Sequence, residues 1–134
     1  MNRKHLVESV GRIATAHGYN FFSSNPTHLP AMVRSYPAMW LSPPQFVKME
    51  GRNHGKMTYE VKLHALTTGA KMPPAEYNST WSKLEEDLIG LFTSLSQEPK
   101  IIAVENLKIT ADSHTLTSHG TIEATATAEV VTFF

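Results

Sequence analysis

The chain has 134 residues, 41% of them hydrophobic and 18% charged, which is the size and apolar content of one domain with one core. Twelve basic and twelve acidic side chains cancel to zero formal net charge. That excludes the strong positive field that draws a protein to nucleic acid or to an anionic membrane, and it does little to keep copies apart. With no cysteine, disulfides, thiolate nucleophiles and cysteine-ligated zinc are excluded as well.

The first segment, "MNRKHLVESVGRIATAHG", carries charges every few residues and has no apolar run, so it does not read as a secretion signal. No stretch approaches the ~20 apolar residues of a membrane helix. The expected compartment is the cytoplasm, with no membrane partner. The same segment reads as an amphipathic helix over about 2–17, with Leu6, Val10, Ile13 and Ala14 at three- and four-residue spacing. Gly18 stands where a left-handed residue ends a helix. "YNFF" is a short β-type run, and "SSNPTHLP" breaks regularity.

"MVRSYPAMWL", Met32 to Leu41, predicts an extended piece, with Pro37 pointing to an edge or a bulge. "SPP" at Ser42 to Pro44 is a stop. "QFVKMEG" and "KMTYEVKLHALTT" around the turn "RNHG" predict a β-hairpin. In its second strand Tyr59, Val61, Leu63 and Ala65 alternate with Glu60, Lys62 and His64, one buried face and one solvated. "GAKMPPAEYNST" predicts a loop leading into a helix over about 77–97, with an apolar stripe of Trp81, Leu84, Leu88, Leu91, Phe92 and Leu95. Two strands follow, 101–111 and 121–133, joined by "DSHTLTSHG". The last reads Ile122, Ala124, Ala126, Ala128, Val130 on its dry side and Thr121, Glu123, Thr125, Thr127, Glu129, Val131 on its wet side. Runs of strands with few helices predict a single α+β domain over 1–134, a mainly antiparallel sheet packed on one face by two helices.

Candidate chemistry is sparse. The seven histidines, His5, His17, His28, His54, His64, His114 and His119, lack the close spacing of metal ligands; His114 and His119 flank a loop near Asp112, where loop histidines are the expected reading. No serine lies in a glycine-flanked elbow. Glu85, Glu86 and Asp87 are adjacent on a helix and point different ways. No glycine-rich phosphate loop is present. Neither a catalytic residue, a metal nor a cofactor is expected, and the chain is not read as an enzyme.

Two features exceed what a monomer needs. Tyr36, Met39 and Trp40 crowd a proline-broken segment, and methionine and aromatics are enriched at interfaces. Phe133 and Phe134 end the chain, where residues otherwise fray; the chain's own core and a neighbouring subunit are both open as the group that pins them. These five are candidate subunit-interface residues. Lys48, Arg52, His54 and Lys56 gather at the hairpin tip, a candidate DNA-facing or partner-facing loop without the interleaved aromatics of a stacking platform.

The element order carried by "HLVESVGRIATAHG", "QFVKMEGRNHGKMTYEVKLHALT", "STWSKLEEDLIGLFTSL" and "TIEATATAEVVTFF" resembles that of the tailed-phage tail-terminator proteins, also called tail-completion or head–tail joining proteins. It is a resemblance of element order and length over most of the chain, without a diagnostic motif, and residues 23–44 do not map onto it. The resemblance implies a small α+β subunit of a hexameric ring that caps the tail tube and joins it to the head. Its partners would be itself and other tail and neck proteins, with DNA passing through the centre and no catalysis. The virion, after cytoplasmic assembly, would be its location. The competing expectation is a small ligand-binding or enzymatic α+β domain with a pocket near Met32–Leu41.

Overall fold

The computed structural model describes residues 2–23, 37–51, 55–68, 74–114 and 121–133. In chain order these form α1 (Asn2–Ala16), β1 (Asn20–Ser23), β2 (Ala38–Leu41), β3 (Gln45–Glu50), β4 (Lys56–Thr68), α2 (Pro74–Leu95), β5 (Ile101–His114) and β6 (Thr121–Phe133). The strands make one sheet in the order β1-β2-β4-β6-β5, with β3 also on β4. Among the described strands β1 and β2 run parallel and the other pairs are antiparallel. The α+β class, the mainly antiparallel sheet and the two helices on it are as the sequence predicts.

Helix α1 closes as Gly18 predicts. The amide of Gly18, at φ 86°, donates to the carbonyl of Thr15 at 3.0 Å, and Tyr19 donates to Ala14 at 3.1 Å. That pair of bonds satisfies two carbonyls the helix would otherwise leave open, in a conformation glycine adopts without strain. Gly11 has another reason: a Cβ there would lie 2.8 Å from the Phe21 ring, so the hydrogen lets α1 approach β1.

Both ends of α2 differ from the sequence expectation. The helix begins at Pro74, one turn inside the stretch read as loop, because proline's missing N–H costs nothing at a first helical position and its fixed φ suits one. Glu76 in that first turn favours the positive end of the dipole. The helix ends at Leu95, and Gln97 already belongs to the following turn.

Strands β2 and β3 are one strand in two pieces. Against β4, Ala38 pairs with Leu66 and Leu41 with Leu63; after Ser42, Pro43 and Pro44 the ladder resumes at Gln45–Glu60 and runs to Glu50–Lys56. The amide of Ser42 still reaches the carbonyl of Lys62 at 3.0 Å. The two prolines then supply no donor, and pairing lapses. Pro37 does not mark an edge, as expected from the sequence: it precedes β2, accepts from the amide of Asn20 at 3.0 Å, and leaves β2 between β1 and β4. Strand β5 continues past Ala111 to His114, since its register with β6 (Asp112–Glu123 to His114–Thr121) carries the polar "DSH" into the ladder.

The main core lies between sheet and helices. Tyr59, Val61, Leu63 and Ala65 of β4 and Ile122, Ala124, Ala126, Ala128 and Val130 of β6 meet Leu6, Val10 and Ile13 of α1 and Leu84, Leu88, Leu91, Phe92 and Leu95 of α2. The alanines of β6 are at most 1% exposed. Their short side chains let α2 lie close, and the helix supplies the volume. Enlarging one should push the layers apart. Ala126→Leu is expected to cost about 1–3 kcal/mol, read as a lower urea midpoint with an unchanged slope.

Candidate assembly interface

The structure separates the predicted interface residues. Met39 is fully buried in the main core, and Trp40, 4% exposed, lies in a second cluster with Ala38, Leu66 and Phe22. Both side chains are enclosed by the folded chain, so in this form neither offers the surface expected of it. Phe133, by contrast, is 40% exposed at the far end of β6, opposite Lys56 in the ladder. Its amide donates to the carbonyl of Lys100 at 3.2 Å. Tyr36, Phe134, Arg52 and His54 lie outside the described residues.

Of the candidate loop cations, Lys48 and Lys56 are placed, and each is beside an acid. Lys48 Nζ contacts Glu50 at 2.8 Å, and Lys56 is the ladder partner of Glu50. The hydrogen bond and charge of Glu50 raise the Lys48 ammonium above its ordinary value, and Lys48 in turn lowers the Glu50 carboxyl. The two placed members of that loop, Lys48 and Lys56, thus lie beside Glu50 on β3 and β4.

Sequence reading missed the character of β3. All six of its residues are exposed. Phe46 is 51%, Val47 45% and Met49 56% exposed. Phe46 rests edge-on against Tyr59, ring centres 5.8 Å apart. A bulge between Phe46 and Lys48 sets Val47 outside the ladder. The adjacent apolar pair "FV" breaks period-two alternation, and that break was the available signal. Ile102, 42% exposed, occupies another bulge, in β5, beside the end of β6 where Phe133 lies. Partly exposed apolar side chains thus collect toward one end of the sheet.

The face expected to be solvated is not so throughout. His64 is 8% and Glu123 6% exposed, on the side of the sheet away from the main core. His64 Nδ1 lies 3.1 Å from Glu123 Oε1, and the Thr125 hydroxyl donates to the same oxygen at 2.7 Å. Trp40 stacks on the imidazole with centroids 4.4 Å apart. The cause is the register that sets Trp40 beside His64 and His64 beside Thr125. Period two cannot reveal which polar residues a tryptophan will cover. Among the described residues no three histidines or carboxylates gather to hold a metal ion. His114 has only its backbone described, and His119 lies outside.

A second polar cluster ties Tyr19, just before β1, to α2. Tyr19, 4% exposed, donates its hydroxyl to Asp87 Oδ2. Lys83 Nζ reaches the same carboxylate at 2.8 Å and lies 5.6 Å from the Tyr19 ring centre. Tyr19, Pro37, Thr67, Ser79, Thr80, Lys83 and Leu84 line a cleft of about 380 Å³ beside it; of the described part of the Met32–Leu41 segment, only Pro37 reaches this cleft. Burial, then the bond to and charge of Asp87, raise the Tyr19 phenol well above its ordinary value. Burial pushes the Asp87 carboxyl up, but hydrogen bonds from Lys83 and Tyr19 outweigh it and leave the group below the usual carboxylate range.

The signs follow. A raised phenol contributes stability that is full below about pH 10 and is lost as pH climbs toward the folded value; a lowered carboxyl contributes above about pH 4 and is lost in acid. Tyr19→Phe is expected to cost about 1–2 kcal/mol at neutral pH, since Asp87 loses a donor. It should also flatten the decline of stability above pH 10, measured by urea unfolding across pH.

Among the described residues no helix is long and apolar enough to cross a membrane. No protein-family model matches the chain, and no curated protein sequence matches it. A solved structure does: a chain in the "Virion of native gene transfer agent (GTA) particle" superposes with a TM-score of 0.50 at 8% identity, over 96% of this chain and 92% of that one. At that identity the likeness is one of fold, and it spans nearly the whole of both chains.

Proposed function

We propose that the chain is a non-catalytic structural subunit of a phage or prophage tail, which assembles with copies of itself into a ring, a hexamer, that terminates the tail tube and joins it to the head. Its partners are itself and neighbouring tail and neck proteins, and DNA passes through the ring without being read. The carrying observation is the end-to-end correspondence of fold with a chain of a virion particle. The exposed β3, Ile102 and Phe133 support it, since apolar side chains 40–56% exposed on a near-neutral chain suit association.

The test is native mass by light scattering across concentration, alone and with purified tail tubes. A hexamer, or a climb from monomer toward one, supports the reading. A strict monomer that does not bind tubes overturns it.

A further inference from the structure

The helix layer has two unlike outer flanks. Helix α1 lies on β1, and α2 lies on β6 and β5, so the helices follow the sheet order, in which β1 and β5 stand at opposite ends. Contacts fix the side of α2 that meets the α1 end of the layer. Asp87 takes the Tyr19 hydroxyl, and a Cβ at Gly90 would lie 3.3 Å from the His17 ring. Helical spacing then places Ser82, Glu85, Glu86, Ile89 and Thr93 on the side turned away from α1. Among the described helix residues Ile89, 48% exposed, is the one large apolar side chain that stands open to solvent.

The opposite flank is a hollow. Val7, Glu8, Gly11, Arg12 and Thr15 of α1 and Phe21 of β1 line a groove of about 570 Å³. Gly11 lets the Phe21 ring come up against the helix there, since a Cβ would lie 2.8 Å from that ring. The helices also differ in sign. On α1, with histidine neutral, Arg3, Lys4 and Arg12 outnumber Glu8 for a net +2. On α2, Glu76, Glu85, Glu86 and Asp87 outnumber Lys83 for a net −3. One flank therefore offers an apolar knob beside two carboxylates, and the other an apolar hollow on a basic helix. A two-fold pair sets like surfaces together, whereas a head-to-tail ring sets unlike ones together.

We infer that α2 of one copy docks along α1 of the next, with Ile89 seated in the neighbour's groove beside Gly11 and Phe21, and Glu85 and Glu86 turned toward the neighbour's basic helix. The occupant of the groove is a second copy of this chain, and the contact repeats around the ring. The inference rests on the ring reading and names its interface. The buried knob supplies affinity, and the opposite helix charges supply orientation.

Substitution of knob and hollow tests it. Ile89→Lys should raise the concentration at which half of the protein is in rings by about tenfold or more. Thr15→Trp, which fills the groove from its rim, should raise it by a similar factor. Both positions are exposed in the subunit, so thermal unfolding of each variant should stay near wild type. Unchanged assembly in either variant overturns the inference. So does a Thr15→Trp variant that melts lower and assembles normally, because the chain would then fill its own groove.

The absence of cysteine allows a second measurement. Packed helix axes lie about 8–10 Å apart, and the two flanks point away from each other, so Thr15 and Ile89 of one chain are beyond the roughly 7 Å reach of a disulfide. Thr15→Cys with Ile89→Cys should therefore cross-link only between copies and give a ladder of covalent oligomers on oxidation. Dimers from Ile89→Cys alone would mean a two-fold contact and overturn the inference. Rings without a ladder overturn the interface and leave the ring reading standing; a wild type that assembles neither alone nor on tail tubes removes both.

Discussion

Phe92→Ala is expected to lower the unfolding free energy by about 3–5 kcal/mol, a large part of the 5–15 kcal/mol that stabilises a typical domain. Phe92 is 1% exposed and is the largest of the fully buried side chains. It projects from α2 into the core that holds Ala124, Ala126 and Ala128. These alanines cannot move into the space it leaves, because they are short and fixed to a strand paired on both sides by β4 and β5. The cost is therefore transfer plus an unrelieved cavity. Equilibrium urea unfolding checks it, and a change below about 1.5 kcal/mol would mean that α2 settles onto the sheet.

Trp40→Ala is the second large loss, about 3–5 kcal/mol. It removes the ring stacked on His64 and opens the Glu123 carboxylate and its hydrogen bonds to water. A thermal scan should show the drop directly. Were Trp40→Ala instead to spare stability and dissolve the oligomer, Trp40 would belong to a subunit boundary after all.

Much of the architecture is legible in the sequence, because it rests on local signals. The period-two runs in β4 and β6, the stripe on α2 and Gly18 after α1 each depend on a residue and its near neighbours. Apart from the ends of α2, the misplacements involve partners remote in sequence. Met39 and Trp40 resemble interface residues until β1 and β4 enclose β2. His64 and Glu123 read as solvated until their register puts them beside Trp40 and Thr125. "DSH" reads as a turn until β6 pairs with it. For the candidate interface, composition pointed to conspicuous aromatics, whereas the structure leaves exposed the side chains of a modest strand, "QFVKME", which among the described residues has β4 alone beside it.

The break at Ser42, Pro43 and Pro44 bears on how much continuous strand such a chain exposes. Unbroken, β2 and β3 would form a segment of 13 residues, 38 to 50, with an apolar side chain at most positions, the kind of stretch that templates fibrils when its edge is open. The prolines cut it to six residues, of which Lys48 and Glu50 carry charge, and a third device, the bulge at Val47, bends what remains. What remains is too short and irregular to nucleate an endless stack. Two consecutive prolines thus set a limit on how much continuous strand the chain offers to aggregation.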